Sequence, residues 1–82
     1  MRVLEIQPLP VGWSVSISGV PNAMVFRSGG AAEAAARRLG ARIAAHGEPA
    51  KLVIRLRDGS VGGRFLFPPA LAHEGAHLRR AA

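Results

Sequence analysis

Gly12-Trp13-Ser14-Val15-Ser16-Ile17-Ser18-Gly19 alternates without a break and contains the only Trp of the chain. Trp13, Val15 and Ile17 point one way and Ser14, Ser16 and Ser18 the other, as the two-residue period of a strand with one wet face requires. Such a strand needs a cover for its apolar side, and the sequence supplies one. Ala32, Ala35, Ala36, Leu39 and Ile43 recur at i, i+3, i+4, i+7 and i+11, the spacing of an amphipathic helix. Arg37, Arg38 and Arg42 occupy the opposite side with Glu33. Ser28 is placed as the N-cap, the helix is predicted from Ala31 to His46, and Gly47 with Pro49 behind it ends it. Gly40 sits at the edge of the apolar arc, where a close approach of backbone to sheet accounts for it.

Further strands flank this pair. Arg2 to Gln7 is predicted as the first, stopped by Pro8-Leu9-Pro10, whose prolines cannot donate ladder hydrogen bonds. Gly12 to Ser18 is the second. Gly19-Val20-Pro21-Asn22 reads as a turn, and Ala23 to Arg27 as a short third strand. After the helix, Lys51 to Arg57 alternates again, with Leu52, Ile54 and Leu56 inward and Lys51, Val53, Arg55 and Arg57 outward. Asp58-Gly59 is a hairpin signal, and Arg64 to Phe67 returns as a fifth strand, with Gly62-Gly63 marking a bulge or longer loop. The expected fold is α+β: a β-β-β-α-β-β two-layer sandwich, its sheet mostly antiparallel, with one helix on one face. The expected core is Leu4, Ile6, Trp13, Val15, Ile17, Phe26, Leu39, Ile43, Leu52, Ile54 and Leu56. Residues 1–67 form the expected domain and 68–82 a flexible tail. The helical crossover leaves open the edge at which the fourth strand joins.

Composition narrows the function classes. The chain has 82 residues, near the lower limit for a single core without staples, and no Cys, so neither disulfides nor thiolate metal sites are available. No apolar run approaches the roughly 20 residues of a membrane span, and Glu5 interrupts the short apolar N-terminus. A cytoplasmic protein without membrane contact is expected. The net charge of +6 is uneven: residues 27–82 hold ten basic and four acidic side chains. Ten of the eleven basic residues are Arg, whose planar fork of donors suits phosphate and carboxylate. The competing explanation is compositional, because Ala, Gly, Arg and Pro are abundant together, as GC-rich coding sequence produces.

Candidate chemistry is sparse. His73-Glu74-Gly75-Ala76-His77 matches H-E-x-x-H literally, but a zinc hydrolase needs both His on a buried helix and a third ligand. Gly75 interrupts the segment, Pro68-Pro69 precede it, and no His, Asp or Glu follows. A coincidental match is the reading adopted. The glycines at 29-30, 59 and 62-63 lack the Lys-Ser/Thr of a phosphate loop, and no nucleophile, base and orienter can be assembled. No enzyme, no cofactor, no metal and no small-molecule substrate are therefore expected. Arg37, Arg38, Arg42, Arg55 and Arg57 are the candidate nucleic-acid-binding residues, although helix and strand sets are expected to fall on opposite surfaces. Phe65-Leu66-Phe67 has two registers: both Phe toward the helix with Leu66 exposed, or both Phe on the open face as an apolar patch.

Gly12-Trp13-x-Val15, Phe26, Glu33-Ala34 and Asp58-Gly59 together resemble a group of short bacterial proteins of unknown function with a W-x-V, E-A helix and D-G pattern. The resemblance covers about residues 3–67 and implies the fold rather than an activity. More loosely, Phe26, Ser28 and Glu33-Ala34 are similar to the layout of HicB-like antitoxins, which implies at most a partner-binding half, since no DNA-binding element follows. Sequence alone thus leads to a small non-enzymatic binding or interaction module. It is expected to associate with itself through a sheet edge or face, or with another protein. The alternative is a nucleic-acid-binding module using the five arginines.

Overall fold

A computed structural model of the chain describes residues 1–70; the H-E-x-x-H segment and most of the expected tail lie outside the described residues. The elements are β1 (Arg2–Pro8), β2 (Trp13–Ile17), β3 (Val20–Phe26), α1 (Gly29–Ala45), β4 (Ala50–Arg55) and β5 (Val61–Phe67). They form one five-stranded sheet in the order β3-β2-β1-β4-β5. Neighbours are antiparallel except β1 and β4, which run parallel, so the helical crossover carries the chain past β2 and β1. The fourth strand therefore joins beside the first, which becomes the centre of the sheet. This is the expected α+β sandwich, with α1 on one face.

Register fixes the two faces. Leu4 pairs with Ile17 and Leu52, Ile6 with Val15 and Ile54, and Leu52 with Phe65, which places all of them beneath the helix. Leu4, Ile6, Val15 and Leu52 are almost wholly buried there, joined by Ala32, Ala36 and Ala50. On the helix the line facing the sheet is made of small residues: Ala32, Ala35, Ala36, Gly40 and Ala44 are buried. Leu39 and Ile43 are only partly buried and lie toward β2 and β3. A stripe of small side chains lets the helix sit low over β1 and β4, and at Gly40 the reason is steric. A Cβ there would come within 2.7 Å of the Phe67 ring. Ser28 caps the helix as expected, its hydroxyl accepting from the Ala31 N–H at 3.1 Å. At the other end, Gly47 takes φ +92 just past the helix.

Four expectations need correction. Leu56 is not core; it is 45% exposed. The β4·β5 register shifts between Ile54 and Arg55, which breaks the inward alternation, and Leu56 lies against Gly62 instead. Val53, expected outward, does sit on the face away from the helix, yet it is buried, flanked in register by Glu5 and Arg64. The long stems of such neighbours shield an apolar residue between them. The expected turn at Gly19-Val20-Pro21-Asn22 is tighter: Ile17 pairs with Val20, and Ser18-Gly19 alone make the bend with Gly19 at φ +81. Pro21 then lies within β3, tolerable because β3 is an edge strand. Finally β5 starts at Val61, three residues early, because the Asp58 turn closes tightly. Asp58 accepts from the Ser60 N–H and hydroxyl, and the Leu56 N–H donates to the Ser60 carbonyl.

Candidate functional site

The five candidate arginines do not share a surface. Arg55 lies on the face away from the helix, where its Nε donates to Glu5 at 2.9 Å. Arg57 leaves the end of β4 and reaches across the sheet end, donating to the Leu9 carbonyl with its guanidinium 5.5 Å from the Trp13 ring. Arg37 is held by Glu33 at 2.9 Å and lies 4.1 Å over the Phe65 ring. Only Arg38 and Arg42 are brought together, one helical turn apart, both exposed and neither in an ion pair among the described residues. Three of the five thus serve as ties within the fold. The Phe65-Leu66-Phe67 register is the one with both rings toward the helix, leaving Leu66 69% exposed.

The face away from the helix presents Ser14, Ser16, Gln7, Glu5, Lys51, Val53, Arg64 and Leu66 by register. It has no aromatic side chain, so bases find no stacking platform on it. Arg55 and then the Gln7 amide, 2.6 Å from Oε1, hold the Glu5 carboxyl below its ordinary range. Because the folded state lowers this pKa, the pair stabilises the fold above the unfolded carboxylate pKa, and that contribution is lost as pH falls through the folded value. Both partners keep contact with water, so Glu5→Gln is expected to cost only about 0.5 kcal/mol at neutral pH. Thermal unfolding of the two proteins in a pH series from 7 downward checks this: the difference should be full at pH 7 and shrink as the pH falls. Asp58 is likewise lowered, mainly by the Ser60 hydroxyl and then by the Ser60 N–H.

No three His, Cys, Asp or Glu side chains converge as metal ligands among the described residues, and no described helix is long and apolar enough to cross a membrane. What the surface does offer is two unequal sheet edges. Along β3 the backbone is irregular: Pro21 has no N–H, Asn22 takes φ 69, and the pairing with β2 shifts register between Val15 and Ile17. Proline and bulges of this kind blunt an edge against strand addition. Along β5, from Gly63 to Phe67, the pairing with β4 is regular and free of proline. That stretch carries exposed Leu66 on one side and partly exposed Phe65 on the other. The apolar Phe65-Leu66-Phe67 run makes this last strand legible as a contact surface; the blunting of β3 is not legible, because Pro21-Asn22 reads as a turn.

No family model, no curated protein and no solved structure matches this chain.

Proposed function

We propose that this protein is a non-enzymatic interaction module that pairs with a second copy of itself through β5. The observation that supports this reading most is the inequality of the edges. One edge strand is protected by proline and a bulge, while the other presents five regular residues with an exposed leucine. An isologous antiparallel pairing needs a two-fold axis on the strand. Placed at Phe65, it sets Phe65 opposite its own copy, Gly63 opposite Phe67, and Arg64 opposite Leu66. No basic side chain then faces its own copy across the seam, and Arg37, which covers Phe65, is already neutralised by Glu33. Two sheets join as one of ten strands, with Leu66 under the stem of Arg64 from the other copy.

The test is mass in solution, read by light scattering or sedimentation of the full chain over a concentration series. A dimer is expected, and Leu66→Lys should return it to a monomer by facing Arg64 of the second copy with a like charge. Leu66→Glu should keep the dimer, since an opposite charge at that position is tolerated. A monomer at every concentration, or a dimer indifferent to both substitutions, would refute the reading. Leu66 is exposed in the single chain, so neither change should disturb folding.

A further inference from the structure

One helix cannot cover five strands. Strands in a sheet lie about 4.8 Å apart, and a helix packs about 8–10 Å from its neighbour, so one helix spans about two strands. Here α1 is centred over β1 and β4. On one side that leaves only β5, whose Phe65 lies beneath Arg37 and whose Phe67 fits at Gly40. On the other side it leaves two strands, β2 and β3, the width of a second helix.

Among the described residues nothing covers that width, and it forms a groove. It consists of two adjoining depressions of about 260 and 290 Å³ that share Leu39 and Arg42. Its floor and inner wall are Ile17, Val20, Met24, Phe26, Leu39 and Ile43, with Val20 46% and Met24 37% exposed. Its rim is basic: Arg38 and Arg42 stand along α1, with His46 at the end of the helix. Among the described residues the one carboxylate at the groove, Glu48, is taken by Arg2 at 3.3 Å. From Ala35 to His46 the groove follows α1 for about 17 Å at the helical rise of 1.5 Å per residue.

We infer that this groove is a docking site for an acidic amphipathic helix of a partner protein, its apolar stripe on Met24 and Leu39 and its carboxylates on Arg38 and Arg42. Charge decides between the occupants. A second copy of this chain placed groove to groove sets Arg38 and Arg42 against themselves. The chain's own residues 71–82 carry Arg79 and Arg80 against a single acid, Glu74, the wrong sign for this rim. A nucleic acid satisfies the arginines but finds a single half-buried ring, Phe26, on a floor otherwise aliphatic, whereas an acidic amphipathic helix satisfies both. The arginine pair is suited to the task, since guanidinium forks hold carboxylates with defined geometry. The site is separate from the β5 edge and stands whether or not that edge pairs.

The experiment is a titration of the full chain, followed by its backbone and methyl NMR signals. The probe is a designed helical peptide of about 12 residues, with leucines at i, i+3, i+4 and i+7 and glutamates beside them. Shifts are expected at Val20, Met24, Leu39 and Ile43. Arg38→Glu combined with Arg42→Glu should weaken binding by about tenfold or more, while Lys51→Glu, which reverses a positive charge on the other face, should leave it near wild type. Far-UV circular dichroism checks that each variant is folded. Equal binding of a scrambled peptide without an apolar stripe, equal weakening by Lys51→Glu, or shifts confined to β5 would each overturn the assignment. So would tighter binding of a single-stranded oligonucleotide with the same shifts.

Discussion

Leu52→Ala is expected to lower the free energy of unfolding by about 2–5 kcal/mol, the range for truncating a buried leucine. Leu52 is fully buried at the middle of β4, between Leu4 of the central strand and Phe65 of the edge strand, under the alanine stripe of α1. Two features favour the upper part of that range. The helix above it presents Ala32 and Ala36, which have no side-chain reach with which to fill a void. The strands on either side are tied by ladders that resist collapse. Small domains hold roughly 5–15 kcal/mol in total, so this one truncation takes a large share. Urea unfolding followed by Trp13 fluorescence reads it directly: the midpoint should fall steeply with the slope unchanged. Leu56→Ala provides the contrast. Sequence alternation treats the two leucines alike, yet Leu56 is 45% exposed and its truncation should cost well under half as much.

That contrast shows what the sequence can and cannot carry. Alternation in Trp13–Ile17 and the i, i+3, i+4 spacing of Ala32, Ala35 and Ala36 place the strand, the helix and the buried face, because each rests on the repeat of a single element. Features that arise between elements are invisible to such patterns. The register shift opposite Gly62 that turns Leu56 outward belongs to the β4·β5 pairing. The burial of Val53 depends on which residues sit beside it on β1 and β5. Pro21-Asn22 reads as a turn because its local chemistry is that of a turn; only the position of β3 at the sheet edge permits a strand there.

The candidate surfaces follow the same rule. The sequence separates the helix arginines from Arg55, as period and alternation allow. The Arg37–Glu33 pair has the i,i+4 spacing that a helix makes legible, whereas nothing local signals that Arg55 is committed to Glu5, 50 residues away. The groove beside α1 is legible only once the strand order is known. Had β4 joined beside β3, the helix would have lain over different strands and Met24 would not stand at an open margin.

Gly40→Leu is expected to destabilise the protein by about 1–3 kcal/mol through overpacking, even though Gly is the worse helix former by about 1 kcal/mol. Propensity alone predicts a gain, so the sign of the result separates the two effects. Gly40 is buried on the sheet side of α1, and the atoms facing it are ring carbons of Phe67 at 2.7, 2.8 and 3.0 Å from an ideal Cβ. Phe67 is the last residue of β5, paired with Ala50, so the ring gives way only by leaving its place under the helix, and the helix cannot lift without losing Ala36 and Ala44 from the core. Phe67→Ala supplies the complementary test. By itself it should cost stability by leaving a void above β5, but combined with Gly40→Leu the new side chain occupies that void. The double variant should be more stable than the sum of the two losses predicts, by an interaction term of about 0.5–3 kcal/mol in denaturant unfolding. Strict additivity would mean that helix and ring are not in contact. The same cycle bears on the β5 edge, because Phe67 is one end of the stretch that pairs. In the Gly40→Leu variant a ring forced out of its place should weaken self-association together with the fold, and the double variant should restore both.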